Sequence, residues 1–477
     1  MSNFVETPQC RCKAGFAQAD ITPPVGIYHR MWGAALHDRA TGIHRPLMAT
    51  AMFMESLDGA NRLLVLGLDH CILDGVEIAS IRQRVRRAVD CQVMVALSHT
   101  HGSGWMSRSR SELPGGDLIG PYLEQLSNCC ERIAREALGS AREAAIVYQY
   151  GRCDLARHRD FYDVARERFV CGFNPLGKAD DTLLVAKVVA QESEQVLGTV
   201  VNYACHPTTL AWENTLISPD YVGALREVVE AATKAPCLFL QGASGDLGPQ
   251  EGFVRDVRVA DKNGRRVGFA ALATLEAIPS PATRFDYLGP VVSGAVLGIW
   301  QHVPADEVAN TRAAQWKSAE TMIPLPYRVE LPTVAATKAE LTKWQSEEYA
   351  SRQANDVQRL SECRAQGEQM TRQLARLAAL PTGATYPYRV NLFKLGDSIW
   401  IFCPGELYQD FQIALRARFP RAAVVVATIS NDWQPGYLPA EASYGHGIYQ
   451  DVIAAVAPGS LEAVIESVTC QIHALLE

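Results

Sequence analysis

Residues 92–102 have the sequence Gln92-Val93-Met94-Val95-Ala96-Leu97-Ser98-His99-Thr100-His101-Gly102. A short apolar run that ends in polar residues predicts a strand buried in a sheet. Because ligands of open α/β sheets gather outside the carboxyl ends of strands, the stretch indicates both an α/β fold and the position of a site. The two imidazoles can bind a metal ion there, or they can simply cap the strand.

Further candidate ligands follow other apolar runs in the same way. Collected along the chain, the side chains that follow predicted strands are His99, His101, His206, Glu406 and, a little further on, Tyr437. Two histidines, one carboxylate and an open position are typical of catalytic zinc, whereas structural zinc favours cysteine ligands. Zn²⁺ lowers the pKa of a bound water to around 7 and polarises a carbonyl, so the set predicts hydrolysis of an amide or ester by metal-bound hydroxide.

The remaining patterns predict an α/β fold with a mixed sheet core and flanking helices. Leu183–Val189 and Leu197–Ala204 have the pattern of a strand hairpin, Ile78–Val89 has helical spacing, and an amphipathic helix over Ser460–Leu476 closes the chain. We expect residues 13–303 and 384–477 to form one α/β domain together, with the zinc site at the carboxyl ends of its strands.

Residues 304–383 have a different composition and predict a helical insertion or subdomain. Thr337 and Glu340 form a capping box, and a broken helical period continues to Leu380, before Pro381. One helix over this stretch would be roughly 60 Å long at 1.5 Å per residue. A helical hairpin is therefore expected.

Composition limits the class of protein. The 477 residues are 48% apolar and 20% charged with a net charge of −7, which predicts a globular chain and argues against nucleic acid as a partner. The first residues show no secretion signal, and no run is long enough to insert in a membrane. The 13 cysteines include no C-x-x-C pair, so free thiols and a cytoplasmic location are expected.

The chain resembles the catalytic domain of the neutral/alkaline ceramidase family, which are zinc-dependent amidases. The likeness covers nearly the whole length and is carried by Ala19-Asp20-Ile21-Thr22, Gly42-Ile43-His44, His99-Thr100-His101, His206-Pro207-Thr208, Gly245-Asp246, Pro404-Gly405-Glu406 and Gly436-Tyr437. The resemblance implies that zinc is held by His99, His206, Glu406 and Tyr437. It also implies that His101 lies beside the zinc-bound water or the scissile carbonyl, and that Tyr449 donates to the oxyanion. The usual pKa of histidine, near the operating pH, suits His101 to the role of general acid and base.

Several positions depart from the family pattern. Gly248 stands where ceramidases carry a serine that contacts substrate, and Tyr449-Gln450 replaces a Tyr-Glu pair. Arg157, in the run Arg157-His158-Arg159, is a candidate to orient a substrate carboxylate or is simply solvated. The resemblance implies a C-terminal immunoglobulin-like domain in ceramidases, and we expect none in this protein. A small soluble amide is therefore expected as substrate rather than ceramide.

Two alternatives to an amidase stay open on the sequence. The same zinc site would serve an esterase or lactonase, and a member without activity would serve as a scaffold or binding protein. A second cation near Asp69, Asp220 or Asp246 and the oligomeric state are undetermined.

Overall fold

The computed structural model describes residues 3–193 and 195–477. The strands are, in chain order, β1 (Phe4–Glu6), β2 (Gln9–Asp20), β3 (Gly42–Ile43), β4 (Met48–Glu55), β5 (Arg62–Leu68), β6 (Gln92–Leu97), β7 (Arg142–Arg152), β8 (Ala156–His158), β9 (Asp160–Asp163), β10 (Arg168–Cys171), β11 (Thr182–Ala190), β12 (Val196–Tyr203), β13 (Leu216–Ile217), β14 (Cys237–Gln241), β15 (Leu247–Pro249), β16 (Thr283–Ser293), β17 (Ala295–Pro304), β18 (Trp316–Pro326), β19 (Thr385–Leu395), β20 (Ser398–Phe402), β21 (Glu406–Leu407), β22 (Ala423–Ala427) and β23 (Tyr437–Leu438). The helices are α1 (Gly75–Val89), α2 (Ile119–Gly139), α3 (Tyr221–Thr233), α4 (Val257–Glu276), α5 (Glu307–Ala313), α6 (Val334–Gln353), α7 (Val357–Ala379), α8 (Asp410–Arg418), α9 (Tyr449–Ile453) and α10 (Ser460–Leu476). The predicted mixed α/β class is confirmed.

Two mixed sheets form the core. The larger has the strand order β14-β12-β11-β7-β2-β4-β5-β6, with parallel pairing only between β12 and β14 and between β5 and β6. The smaller has the order β18-β19-β20-β22, with β20 and β22 parallel. Short crossovers through α1, α3 and α8 make each parallel pair possible.

The two sheets pack face to face, and helices cover their outer faces. Along β5, Leu63 and Val65 join the apolar cluster that also contains Trp400 and Phe402 of the smaller sheet. The alternate residues Leu64, Leu66 and Leu68 face α1 and α2 instead. Helices α3 and α4 cover the other end of the larger sheet, and α8 and α10 cover the smaller one. Because both faces of the central strands are buried, their sequences are continuously apolar.

The segment 304–383 is only partly helical. Helices α6 and α7 form the expected antiparallel hairpin, with Arg364 of α7 bonded back to Glu348 of α6. Trp316–Pro326, however, is a strand that pairs along its whole length with Thr385–Leu395. The prediction of a helical insertion from residue 304 onward is therefore wrong for this stretch, because pairing with β19 stabilises an extended strand there.

None of the helices in the described ranges is long and apolar enough to cross a membrane.

Candidate metal centre and cavity

His99, His206 and Glu406 converge although they follow three different strands. His99 lies two residues after β6, His206 three residues after β12, and Glu406 four residues after β20. Nε2 of His99 lies 3.3 Å and Nε2 of His206 lies 3.0 Å from the same carboxylate oxygen, Oε2 of Glu406. One ligand atom from each residue lies within 4.8 Å of the other two, so the three can reach one metal ion.

The second nitrogen of each imidazole fixes its tautomer. Nδ1 of His99 donates to the carbonyl of Cys71 at 2.8 Å, and Nδ1 of His206 donates to the carbonyl of Ser244 at 2.7 Å. Burial lowers the pKa of His99, but Cys71 and Glu406 outweigh it and raise that pKa well above its usual range, so a proton on Nε2 of His99 compensates the Glu406 carboxylate where a metal ion would otherwise do so. The donor set therefore fits a metal ion.

Charge in the cluster favours a cation for the same reason. Burial raises the pKa of Glu406, but His99 and His206 outweigh it and hold that pKa well below its usual range. Burial lowers the pKa of His206 to about 4, so this ring is neutral at neutral pH. An ionised carboxylate beside a neutral imidazole is the protonation state that metal binding requires.

The backbone at His99 has a left-handed conformation that is unusual for a residue with a Cβ atom. Its φ is +66°, and its N–H donates to the carbonyl of His70 at 2.8 Å. Such conformations cost energy and persist where the surroundings enforce them, which is common at functional sites. Here the turn after β6 is held so that the ring points at Glu406.

Tyr437 is the fourth member of the cluster. Its hydroxyl lies 3.5 Å from Nε2 of His206 and accepts a hydrogen bond of 2.9 Å from Nη2 of Arg159. Burial raises the pKa of this phenol, and Arg159 partly offsets the effect. The guanidinium thus places the phenol oxygen beside the two histidines.

His101 is close to the cluster without sharing its carboxylate. Its ring lies 5.0 Å from that of His99 and 5.0 Å from that of Trp32, measured between centroids. Its buried Nε2 has no hydrogen-bond partner among the described residues. Burial, together with His99 and His206, lowers the pKa of His101 well below its usual value, so the ring is neutral and able to accept a proton.

A cavity of about 400 Å³ opens onto this cluster. His101, Tyr437 and Tyr449 form part of its lining, and Tyr449 is 46% exposed to it. The rings of Tyr437 and Tyr449 meet edge to face at 6.0 Å. The volume lies at the lower end of the range for small-molecule pockets.

The structure does not bring Arg157 into the cavity. Arg157 pairs with Asp154 at 3.1 Å and is not part of the cavity lining, whereas Arg159 is 4% exposed and lines the cavity. The predicted substrate-binding residue Arg157 thus lies outside the cavity lining, whereas its neighbour Arg159 is part of it; contact of either arginine with a substrate stays a prediction. Sequence reasoning singled out the basic run, but burial alone distinguishes its two arginines.

Gly248 lies behind the cavity wall. It pairs with Arg157 in the antiparallel ladder, and a Cβ atom on it would lie 3.9 Å from Thr208 and from Arg159. Both neighbours line the cavity, so a side chain at position 248 would contact the wall through them.

The three carboxylates considered for a second cation are already bonded within the protein. Asp69 forms a bidentate ion pair with Arg226 at 2.8 and 2.9 Å. Asp220 accepts main-chain hydrogen bonds, and Asp246 accepts two from Gln409. Their oxygens serve the fold, and none of them belongs to a group of metal-ligating side chains in the described ranges.

Comparison with known proteins finds one matching family model and solved structures that share the fold. Residues 13–250 match the family model of the N-terminal region of neutral/alkaline non-lysosomal ceramidases. A crystal structure of neutral ceramidase from Pseudomonas aeruginosa superposes with a TM-score of 0.64 at 16% identity, covering 97% of this chain and 73% of that one. A ceramidase complexed with C2 superposes with a TM-score of 0.65 at 14% identity, covering 97% of this chain and 74% of that one.

No curated protein sequence matches the chain. The family model covers the strands that end at His99 and at His206, and the structural likeness extends the shared fold over the remaining sheet and helices. The chain belongs to the neutral/alkaline non-lysosomal ceramidase family.

Proposed function

We propose that this protein is a zinc-dependent hydrolase that cleaves the carboxamide bond of a small, soluble, non-ceramide substrate. The observation that carries the proposal is the convergence of two imidazole nitrogens and one ionised carboxylate beside a cavity lined by His101 and Tyr449. Two histidines, one carboxylate and an open position are the ligands of many catalytic zinc sites. The family relationship makes the protein an amide hydrolase by class.

The residues present fit zinc and divide into two groups. His99, His206, Glu406 and Tyr437 would hold the ion, which when bound supplies an activated water near neutral pH and a polarised carbonyl. His101 lies beside them with a free Nε2, so it takes a proton and returns it to the leaving nitrogen. Tyr449 remains protonated at neutral pH and donates to the carbonyl oxygen as its negative charge develops.

The cavity supports a small substrate. Its volume of about 400 Å³ and the guanidinium groups in its wall suit a compact polar amide rather than a long lipid. The free cysteines of the described ranges suit a reducing compartment, so we place the protein in the cytoplasm with a small-molecule partner.

The proposal is tested by screening purified protein against acyl amides, amino-acid amides, lactones and ceramide, with and without a chelator. We expect hydrolysis of small amides, about one zinc per chain, and loss of both on chelation. A preference for lactones would indicate that the protein is an esterase or lactonase rather than an amidase. A folded protein that takes up no zinc and cleaves nothing would indicate a non-catalytic member.

Two variants separate the roles of the site residues. His206→Ala should lose the metal, whereas Tyr449→Phe should retain it and lower kcat by about a hundredfold, the effect of one lost oxyanion donor. Metal content by atomic emission and kcat are measured on both. Equal metal loss in the two variants would contradict the role given to Tyr449.

A further inference from the structure

The lining of the cavity combines two kinds of side chain. Trp32, Trp212 and Phe253 form an aromatic wall, with Trp32 meeting the other two rings edge to face at 6.3 and 5.6 Å. Arg159, Arg372 and Arg376 add three guanidinium groups to the lining, near Tyr437 and Tyr449. A ligand that fills the cavity therefore meets both aromatic ring surfaces and guanidinium groups.

One face of α7 supplies three of the four charged side chains that line the cavity, namely Glu368, Arg372 and Arg376. Ala365, Glu368, Gln369, Arg372 and Arg376 follow one another at intervals of one, three or four residues and all line the cavity. Side chains at this spacing share one helix face. Helix α7 thus supplies most of the charged groups that a ligand in the cavity would meet.

The single carboxylate in this lining is already neutralised. Glu368 forms a bidentate pair with Arg110 at 3.0 and 2.8 Å and also accepts from Nε of Arg372 at 2.9 Å. Arg372 further donates to the carbonyl of Met31. Glu368 therefore compensates Arg110 and Arg372, and it does not pair with Arg376.

Arg376 is buried without an anionic partner. It is 7% exposed, its Nη2 donates to Gln373 at 2.6 Å, and its Nε has no hydrogen-bond partner in the described ranges. No carboxylate of those ranges pairs with it. Burial lowers its pKa, which reflects the cost of holding an uncompensated charge away from water. An anion supplied by the ligand would remove that cost.

We propose that Arg376 binds a carboxylate of the substrate, so that the amide cleaved at this site carries a negative charge on one side of the scissile bond and an apolar group on the other. The planar guanidinium suits bidentate binding of a carboxylate. The apolar group lies against the aromatic wall. The inference rests on the proposed amide hydrolysis and specifies its substrate class as N-acyl amino acids with an apolar acyl group.

The test compares N-phenylacetylglycine with N-phenylacetylisobutylamine, in which an isopropyl group replaces the carboxylate. The wild-type protein should prefer the glycine compound by at least about tenfold in kcat/KM. R376M should reduce that preference by about 10- to 100-fold. R376K keeps the positive charge but lacks the planar guanidinium group, so its preference should lie between those of R376M and the wild type.

R352M is the matched control. Arg352 lies on the outer side of the same hairpin and pairs with Glu348 at 3.0 Å, with 58% of its side chain exposed. Its substitution should leave the preference unchanged. Circular dichroism establishes that each variant is folded. A wild-type preference below threefold, or an unchanged preference in a folded R376M, would overturn the inference while leaving amide hydrolysis intact.

Direct binding separates this inference from the proposed function. Chelator-treated protein should bind N-phenylacetylglycine at least about tenfold more tightly in the wild type than in R376M, measured by calorimetry. If neither amide is cleaved but this difference is found, the hydrolase proposal fails and the carboxylate site stands. Equal affinities in the metal-free proteins would show that Arg376 does not bind the carboxylate.

Discussion

The three histidines of the site differ in what their second nitrogen contacts. His99 and His206 donate Nδ1–H to main-chain carbonyls, which leaves Nε2 as an acceptor for a metal ion. His101 has an unpartnered Nε2 and a tryptophan ring beside it. The neighbours of each ring, rather than the H-x-H spacing, therefore separate ligand from proton carrier.

His70 makes the folded protein sensitive to acid. Tyr122 donates its hydroxyl hydrogen to the carbonyl of Ile21, so Nε2–H of His70 must donate to Tyr122, and Nδ1 is left bare in an apolar site. Burial lowers the pKa of His70 to about 4. The unfolded chain, with a usual pKa near 6.5, binds this proton first as the pH falls, so the stabilisation present above that pH is lost between about 6.5 and 4.

Replacing His70 by Gln should weaken this pH dependence. Between pH 7.5 and pH 5, the free energy of unfolding of the metal-free wild type should fall by about 2 kcal/mol more than that of His70→Gln. Urea unfolding of both metal-free proteins at the two pH values measures the difference. Equal decreases would show that His70 takes up its proton in the folded state as easily as in the unfolded chain.

At the level of residues, a side chain of the site can be predicted from the sequence when it closely follows a buried strand. The convergence of His99, His206 and Glu406 follows from that rule, and their binding of zinc stays a prediction. Arg376 was not found, because an arginine on a charge-rich helix has the same pattern whether it faces solvent or a cavity. Arg376 faces the cavity because α7 docks against the loop around Met31, and this docking is visible only in the structure.

Among the elements, the α6–α7 hairpin is held to the core by ion pairs rather than by an apolar face. Arg364 of α7 pairs with Asp38 at 2.7 Å, and Glu368 pairs with Arg110. The hairpin was predicted from its helical period, but the predicted capping box at Thr337 is wrong, because Thr333 caps α6 and Thr337 lies inside the helix. The docking of the hairpin was not predicted, because charges in a sequence do not reveal their partners. Strand β18 was missed for a related reason, since its stability comes from pairing with the distant β19.

Glu368→Gln should loosen this hairpin. The side chain of Glu368 is 4% exposed and its charge compensates Arg110 and Arg372, whose influence holds its pKa below the usual range against the effect of burial. Removing one partner from a buried ion pair costs about 3–5 kcal/mol. We expect that loss in thermal or urea unfolding, with faster hydrogen exchange in α7.

Glu362→Gln is the control for that substitution. Glu362 lies on the same helix and pairs with Arg359 at 2.7 Å, with 55% of its side chain exposed. Its loss should change the free energy of unfolding by less than about 1 kcal/mol. Similar effects of the two substitutions would show that the Glu368 cluster does not anchor the hairpin.

For the whole molecule, the arrangement is a helix–sheet–sheet–helix sandwich with the candidate site at one edge. Apolar runs on both faces of a strand indicate that both faces are covered, but not whether a helix or a second sheet covers them. The packing of Trp400 and Phe402 onto β5 and its neighbours could therefore not be predicted from the sequence. The ligand residues come from both sheets, so the geometry of the cluster depends on how the sheets pack.

The metal cluster depends on the packing of the two sheets, but that packing does not depend on the metal. A chain of 477 residues buries enough apolar surface to fold without a metal. The chelator-treated protein should therefore keep its circular dichroism spectrum. Since the ligands meet only in the folded chain, zinc should raise the thermal midpoint, with a stabilisation of about 3 kcal/mol when free zinc is a hundred times its Kd. His206→Ala should remain folded and show no such shift. Loss of secondary structure on chelation would mean that the cluster holds the two sheets together rather than depending on their packing.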